Sequence, residues 1–339
     1  MQMKNSKTSQ SFVDSASKSP PSISLVHEGY LQVSELHEIW YGEFGNPQGF
    51  PVIVLHGGPG AGCSDNDLQL FDLTFWRVIL LDQRGAKRSK PFGEMKENTT
   101  PDLISDLEFL RRKLNIDKWL VFGGSWGSTL ALSYGETYSD HILGFILRGV
   151  FLARASDNLH FWYGMRHTFP EAWQEFNDFL PADQQHDLIH SYHRLIMDSN
   201  PGVCMPAARA FLKYDLVCAF LNISAEQLSM LLSDDQLVLG ISRTFIHYSI
   251  NNFFLTENQL INNINRMNHL PLIIVHGRYD TITCAKSAYE VHKLWPGSEL
   301  RIVACSGHSA MEPGIALSLI QATEKMKERI SATNGFNCT

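Results

Sequence analysis

Val121-Phe122-Gly123-Gly124-Ser125-Trp126-Gly127-Ser128 decides the reading of this chain: an apolar run meets a serine bracketed by glycines at the Gly-x-Ser-x-Gly spacing. Trp119 to Phe122 reads as a strand, and Thr129-Leu130-Ala131-Leu132 as the start of a buried helix. A sharp turn joining such elements holds its serine at the apex in a strained backbone conformation. Gly123 and Gly127 are needed because strand and helix pass too close there for side chains. Short glycine-serine strings also arise by chance, so the surroundings decide.

Those surroundings repeat one rhythm. Val52-Ile53-Val54-Leu55, Val78-Ile79-Leu80-Leu81, Phe145-Ile146-Leu147, Leu272-Ile273-Ile274-Val275 and Leu300 to Ala304 are further apolar runs without polar alternation, as in strands buried on both faces. Helical patterns lie between them. Thr100 is the expected N-cap of one, with Pro101 at its first position and Leu103, Leu107, Leu110 and Leu114 on its apolar face. Others follow Ser125, span Ala285 to Leu294, and span Ile315 to Ile330. Tyr30 to Tyr41 reads as an opening antiparallel hairpin. Alternating strands and helices specify an α/β fold with a doubly wound, mostly parallel sheet.

From Phe151 to Asn265 the rhythm stops, giving way to helical patterns rich in aromatic residues. The expected organisation is therefore a core of residues 27–150 and 266–331 interrupted by a helical cap at 151–265. A disordered polar arm at 1–26 and a tail at 332–339 flank it.

Composition bounds the function. With 44% hydrophobic and 19% charged residues the 339-residue chain has ample material for a core. A net charge of -7 and a pI near 6.0, without a basic stripe, argue against nucleic-acid and membrane-surface partners. The first residues lack a signal-peptide apolar segment, and no apolar run is long enough to span a bilayer. Six scattered cysteines show no zinc or disulfide spacing and read as free thiols in a reducing cytoplasm. Partner proteins are not specified by these features.

A serine hydroxyl is a poor nucleophile at neutral pH and needs a base, which in turn needs an orienting acid. Asp280 follows the Leu272 to Val275 run, and His308 follows the Leu300 to Ala304 run. Ser125, Asp280 and His308 thus each lie just beyond the carboxyl end of an expected strand, where doubly wound sheets place their sites. Asp280 as a simple turn cap, and His308 as one of 14 histidines, are the bland alternatives. Cys305 lacks an elbow and reads as a packing residue. The oxyanion of a tetrahedral intermediate needs backbone N–H donors. Trp126, after the serine, and Gly58, in the His56-Gly57-Gly58-Pro59-Gly60 loop, are placed to supply them. Asp82-Gln83-Arg84-Gly85 reads as a brace between loops.

With those residues in hand the chain resembles the proline iminopeptidases (prolyl aminopeptidases) of the α/β-hydrolase fold. The likeness is carried by His56-Gly57-Gly58-Pro59-Gly60, Asp82-Gln83-Arg84-Gly85, Gly123 to Ser128, Leu147-Arg148-Gly149-Val150-Phe151, Gly277-Arg278-Tyr279-Asp280 and Gly307-His308-Ser309. It runs from about Gly29 to Leu319. The resemblance implies release of an N-terminal proline from peptides, without metal or cofactor, under a helical cap that binds the free amine through carboxylates. It implies that Phe151 lines the proline pocket and that Asp215 stands where the family has an amine-binding glutamate. Phe245 replaces a second such glutamate, and Ser249 a pocket phenylalanine. Those departures keep an alternative open: a related hydrolase of esters or amides without a free amine. A catalytically dead relative is a further alternative, opposed by the complete set of catalytic residues.

Overall fold

The computed structural model describes residues 25–333, so the expectations for most of the arm, most of the tail and Cys338 concern residues outside it, while Leu25 and Val26, expected in the arm, begin the first strand instead. Eight strands form one sheet: β1 (Leu25–Gln32), β2 (Glu38–Gly45), β3 (Phe50–Leu55), β4 (Trp76–Leu81), β5 (Trp119–Gly124), β6 (Ile142–Arg148), β7 (Leu272–Gly277) and β8 (Glu299–Val303). Their spatial order is β1-β2-β4-β3-β5-β6-β7-β8. β1 and β2 pair antiparallel, as does β2 with β4, and the remaining pairs are parallel.

The unbroken apolar runs are explained by burial on two sides. Ile53, Leu55, Ile79, Leu81, Val121 and Leu147 belong to one hydrophobic cluster. Their neighbours Val52, Val54, Val78, Leu80, Leu120 and Ile146 belong to another on the opposite face. Alternate side chains of a strand point to opposite faces, so helices must cover both. β8 departs from this: each of its residues is half-buried, as befits an edge strand.

The helices are α1 (Thr100–Lys113), α2 (Trp126–Tyr138), α3 (Ala155–Leu159), α4 (Pro170–Asp178), α5 (Leu188–Ile196), α6 (Pro201–Ala219), α7 (Ala225–Leu232), α8 (Asp235–Ile250), α9 (Gln259–Asn262), α10 (Ala285–Leu294) and α11 (Pro313–Thr333). The N-cap of α1 is Thr99 rather than Thr100. Thr99 Oγ1 accepts the Asp102 N–H at 3.3 Å, and Asp102 accepts the Thr99 N–H at 3.1 Å. That reciprocal box needs an acid three residues after the cap, which Thr99 has in Asp102.

Between β6 and β7 the chain is helical. Phe161, Trp162, Phe176, Tyr192, Phe211 and Tyr214 pack there, with Phe176 stacked on Tyr192 and Tyr214 at ring separations of 4.3 and 4.5 Å. The end of α6 is tied to the loops after β7 and β8. Thr281 Oγ1 donates to Cys218 O at 2.8 Å, and the His308 N–H donates to Ala219 O at 3.0 Å.

Candidate active site

The turn between β5 and α2 is as tight as its glycines require. A Cβ on Gly127 would lie 2.0 Å from Leu55 O, and one on Gly123 would lie 2.3 Å from Gly127 O. Ser125 itself has φ 57°, a left-handed conformation that disfavours a side chain. Its N–H donates to Arg148 O at 2.8 Å, and its carbonyl accepts from Ser128 N–H and Oγ. The strain is therefore held by neighbours on both sides, and the Ser125 hydroxyl makes no helix cap.

Residues 183 positions apart in sequence meet at this turn: Ser125 Oγ donates to His308 Nε2 at 2.9 Å. His308 Nδ1 donates to Asp280 Oδ2 at 2.8 Å. Thr283, which the sequence reading did not single out, fastens the acid. Its N–H donates to Asp280 Oδ1 and its hydroxyl to Oδ2, each at 2.8 Å. Burial alone would raise the Asp280 carboxyl. The charge and hydrogen bond of His308, the charge of His276 and the Thr283 N–H outweigh it and hold it at about 2. Asp280 is thus an anion throughout the working range, able to orient His308.

Loops around Ser125 are braced by the Asp82-Gln83-Arg84 segment. Gln83 receives the Trp126 Nε1–H at 2.8 Å and donates its own amide to His56 O at 3.1 Å. Arg84 forms a buried ion pair with Asp106 at 2.6 Å, and Asp82 pairs with Arg88 at 2.6 Å. Trp126 is fully buried with Tyr248 at 4.8 Å, which fixes the backbone beside Ser125. The backbone N–H groups of Gly58 and Trp126 have no hydrogen-bond acceptor among the described residues. Gly57 abuts Ser125, since a Cβ there would stand 3.2 Å from Ser125 Cβ.

Ser125, His308 and Gly58 open on a cavity of about 320 Å3. Phe151, Phe161 and Phe245 are among the residues that line it. Phe245 is both cavity wall and part of the hydrophobic core, packed 4.6 Å from Phe161 and 5.3 Å from Phe211. Asp215 also lines the cavity. Its carboxylate accepts no hydrogen bond and forms no ion pair among the described residues. Burial pushes it up to about 6, opposed only by the more distant charge of His308.

Ser249 is not on the cavity wall. It is buried, donates to Asn158 Oδ1 at 2.7 Å and receives the Trp162 Nε1–H at 2.9 Å. Its side chain is satisfied by these polar contacts. Cys305 is exposed rather than packed, because β8 lies at the sheet edge. Charged cavity residues to which the sequence reading gave no role are Asp67, Asp157 and Arg148. The signal for Arg148 was present as a lone charge closing the apolar run of β6. Asp157 gave none, since its spacing from Arg154 is that of a helix cap.

Comparison with known proteins is consistent across the chain. Residues 51–314 match the family model of the alpha/beta hydrolase fold. The chain is 44% identical over 317 residues to a protein of Leptolyngbya boryana named "Probable proline iminopeptidase", covering 93% of this chain and 98% of that one. It is 42% identical to the proline iminopeptidase of Arabidopsis thaliana, over 88% of this chain and 79% of the relative. The Neisseria gonorrhoeae proline iminopeptidase is 41% identical, over 90% and 97%. An esterase from Exiguobacterium antarcticum shares the fold with a TM-score of 0.60 at 19% identity, covering 90% of this chain and 98% of its own.

Proposed function

Because this chain belongs to the proline iminopeptidase family of α/β-hydrolases, we propose that it releases N-terminal proline from peptides through Ser125, His308 and Asp280. The observation that carries the reading is the continuous hydrogen-bonded line from the Ser125 hydroxyl through His308 to Asp280. Ser125 attacks the prolyl carbonyl while His308 Nε2 takes its proton, and Asp280 steadies the imidazolium. The N–H groups of Gly58 and Trp126 hold the oxyanion. His308 then protonates the departing amine, leaving a prolyl ester on Ser125. Water, deprotonated by His308, releases proline.

Substrate binding follows from the cavity. The pyrrolidine ring sits against Phe151 and its aromatic neighbours, and Asp215 meets the substrate ammonium. An anion left without partners in a cavity wall is strained in the free enzyme and satisfied by a cationic ligand. Residues 151–265 act as the cap that carries these groups, over a core of 27–150 and 266–331. No metal or cofactor takes part in these steps. Among the described residues no helix is long and apolar enough to cross a membrane; a cytoplasmic location fits the unpaired thiols.

Phe245, an apolar group in the cavity wall, favours a second reading in which esters or amides without a free amine are the substrates. One panel separates the two: proline and acetylproline anilides beside a simple acyl ester. The first reading expects cleavage of the free proline anilide and little of the acetylated one. Equal rates for both would leave a general serine hydrolase. Ser125→Ala should keep the fold and lower turnover by about 10^4-fold or more, and an unchanged rate would remove Ser125 as nucleophile.

A further inference from the structure

Arg148 closes β6 directly beneath the catalytic serine. Its Nη1 donates to His308 O at 2.8 Å and lies 3.2 Å from His308 Nε2. It lines the same cavity as Ser125. Two of its nitrogens, Nε and Nη2, have no hydrogen-bond partner among the described residues. No carboxylate there forms an ion pair with it either: Asp280 and Asp67 act on it only from a distance, while burial works against its charge. Asp67 shares the cavity, but its carboxylate is held by the Ser64 N–H at 2.8 Å.

The sequence makes room for this cation. The Gly-x-Ser-x-Gly pattern leaves the residue before the serine free, yet it is a glycine here. A Cβ on Gly124 would fall 2.6 Å from Arg148 Nη2. At Gly124 the group that a larger residue would crowd is thus this guanidinium.

Chemistry says what approaches this guanidinium. The leaving amine must take its proton from His308 Nε2, so the residue after the scissile bond sits beside that nitrogen. Arg148 is the cation in contact with the same atom. In a dipeptide the terminal carboxylate is two bonds from the leaving nitrogen. In a longer peptide that position is occupied by a neutral amide. We propose that Arg148 receives the C-terminal carboxylate of prolyl dipeptides, making them the preferred substrates, with the ammonium at Asp215 and the carboxylate at Arg148 on either side of Ser125. The proposal rests on the prolyl aminopeptidase reading and narrows its substrate class to zwitterions of dipeptide length. A guanidinium suits this task because its planar fork matches a carboxylate.

The test compares kcat/KM for prolyl-alanine and prolyl-alanine amide, which differ only in the terminal charge. The wild type should favour the free acid by about tenfold or more. Arg148→Gln should bring the ratio close to one even as both rates fall, and Arg148→Lys should restore part of it. A merely structural role would lower both substrates together and leave the ratio untouched. A wild-type ratio near one overturns the proposal whatever the variants do, as does a ratio that survives in Arg148→Gln. Cleavage of both prolyl compounds at equal rates removes only the role of Arg148. Failure to cleave either, with an acyl ester still hydrolysed, removes the aminopeptidase reading and this proposal with it.

Discussion

Replacing Asp215 by Asn should make the enzyme more stable and worse at its task. A carboxyl pushed up to about 6 from its ordinary 3.8 is ionised at pH 7.5 at a cost to the fold of about 3 kcal/mol. The sign follows from which state holds the proton more tightly. The unfolded chain gives it up near 3.8, the folded chain near 6, so the penalty grows through that interval and is complete above it. Asparagine has nearly the same shape and no charge, though its amide still resists desolvation, which leaves a net gain of about 2 kcal/mol. For a chain of this length that corresponds to a rise of about 3 °C in melting temperature at pH 7.5, shrinking to near zero at pH 4.5, where the penalty of about 1 kcal/mol only balances the amide's own desolvation. Calorimetry at the two pH values measures it. In parallel, kcat/KM for a free proline anilide should drop by about 30- to 100-fold, while a neutral ester of similar size barely changes. The wild type should also show KM for the free amine rising as pH falls through about 6. A melting temperature that is lower, or higher by the same amount at both pH values, refutes the claim that Asp215 is a strained anion. Equal losses on amine and ester would remove it from the amine site.

Asp280→Asn should lower kcat by about 10^4-fold through loss of imidazole orientation. A carboxyl held at about 2 adds about 2 kcal/mol of stability that is present above its unfolded value near 4 and lost as pH falls through about 2. Acid titration of the variant, followed by circular dichroism, should therefore lack that contribution to the slope, and an unchanged slope would mean that Asp280 is not held as an anion by its neighbours. Gly127→Ala should abolish folding or cost several kcal/mol, since the new methyl would lie 2.0 Å from a backbone oxygen of β3. An unaltered melting temperature would mean that the elbow yields.

The core was legible because its signals are local. Buried parallel strands are continuous apolar runs, and the elbow declares itself through Gly123 and Gly127, where no other residue fits. Parallel strands put their carboxyl ends on one edge of the sheet, and that allowed Ser125, Asp280 and His308, each just beyond such an end, to be considered together across most of the chain. The cap was less legible. Helical periodicity shows that Phe245 faces inward, but cannot say whether inward is core or cavity, and here it is both. Ser249 reads as a lost pocket residue until Asn158 and Trp162 are seen to satisfy it. Thr283 was opaque because a threonine next to an active acid looks like any turn threonine. Arg148 was hidden inside a motif whose glycines drew the attention, its consequence for Gly124 visible only in three dimensions.

The helices between β6 and β7 are joined to the loops carrying Asp280 and His308 at the last turn of α6, through Cys218 O and Ala219 O. Asp215 lies about one helical turn upstream of those carbonyls. In the proposed assignment recognition and chemistry share a mechanical joint: tilting α6 to admit a bulkier side chain would drag the His308 loop with it. Grafting the cap of another family member onto this core would transplant specificity only if that joint came with it. Laboratory evolution toward new substrates should accordingly find tolerated changes on α8 and in the α3 segment more readily than along the end of α6.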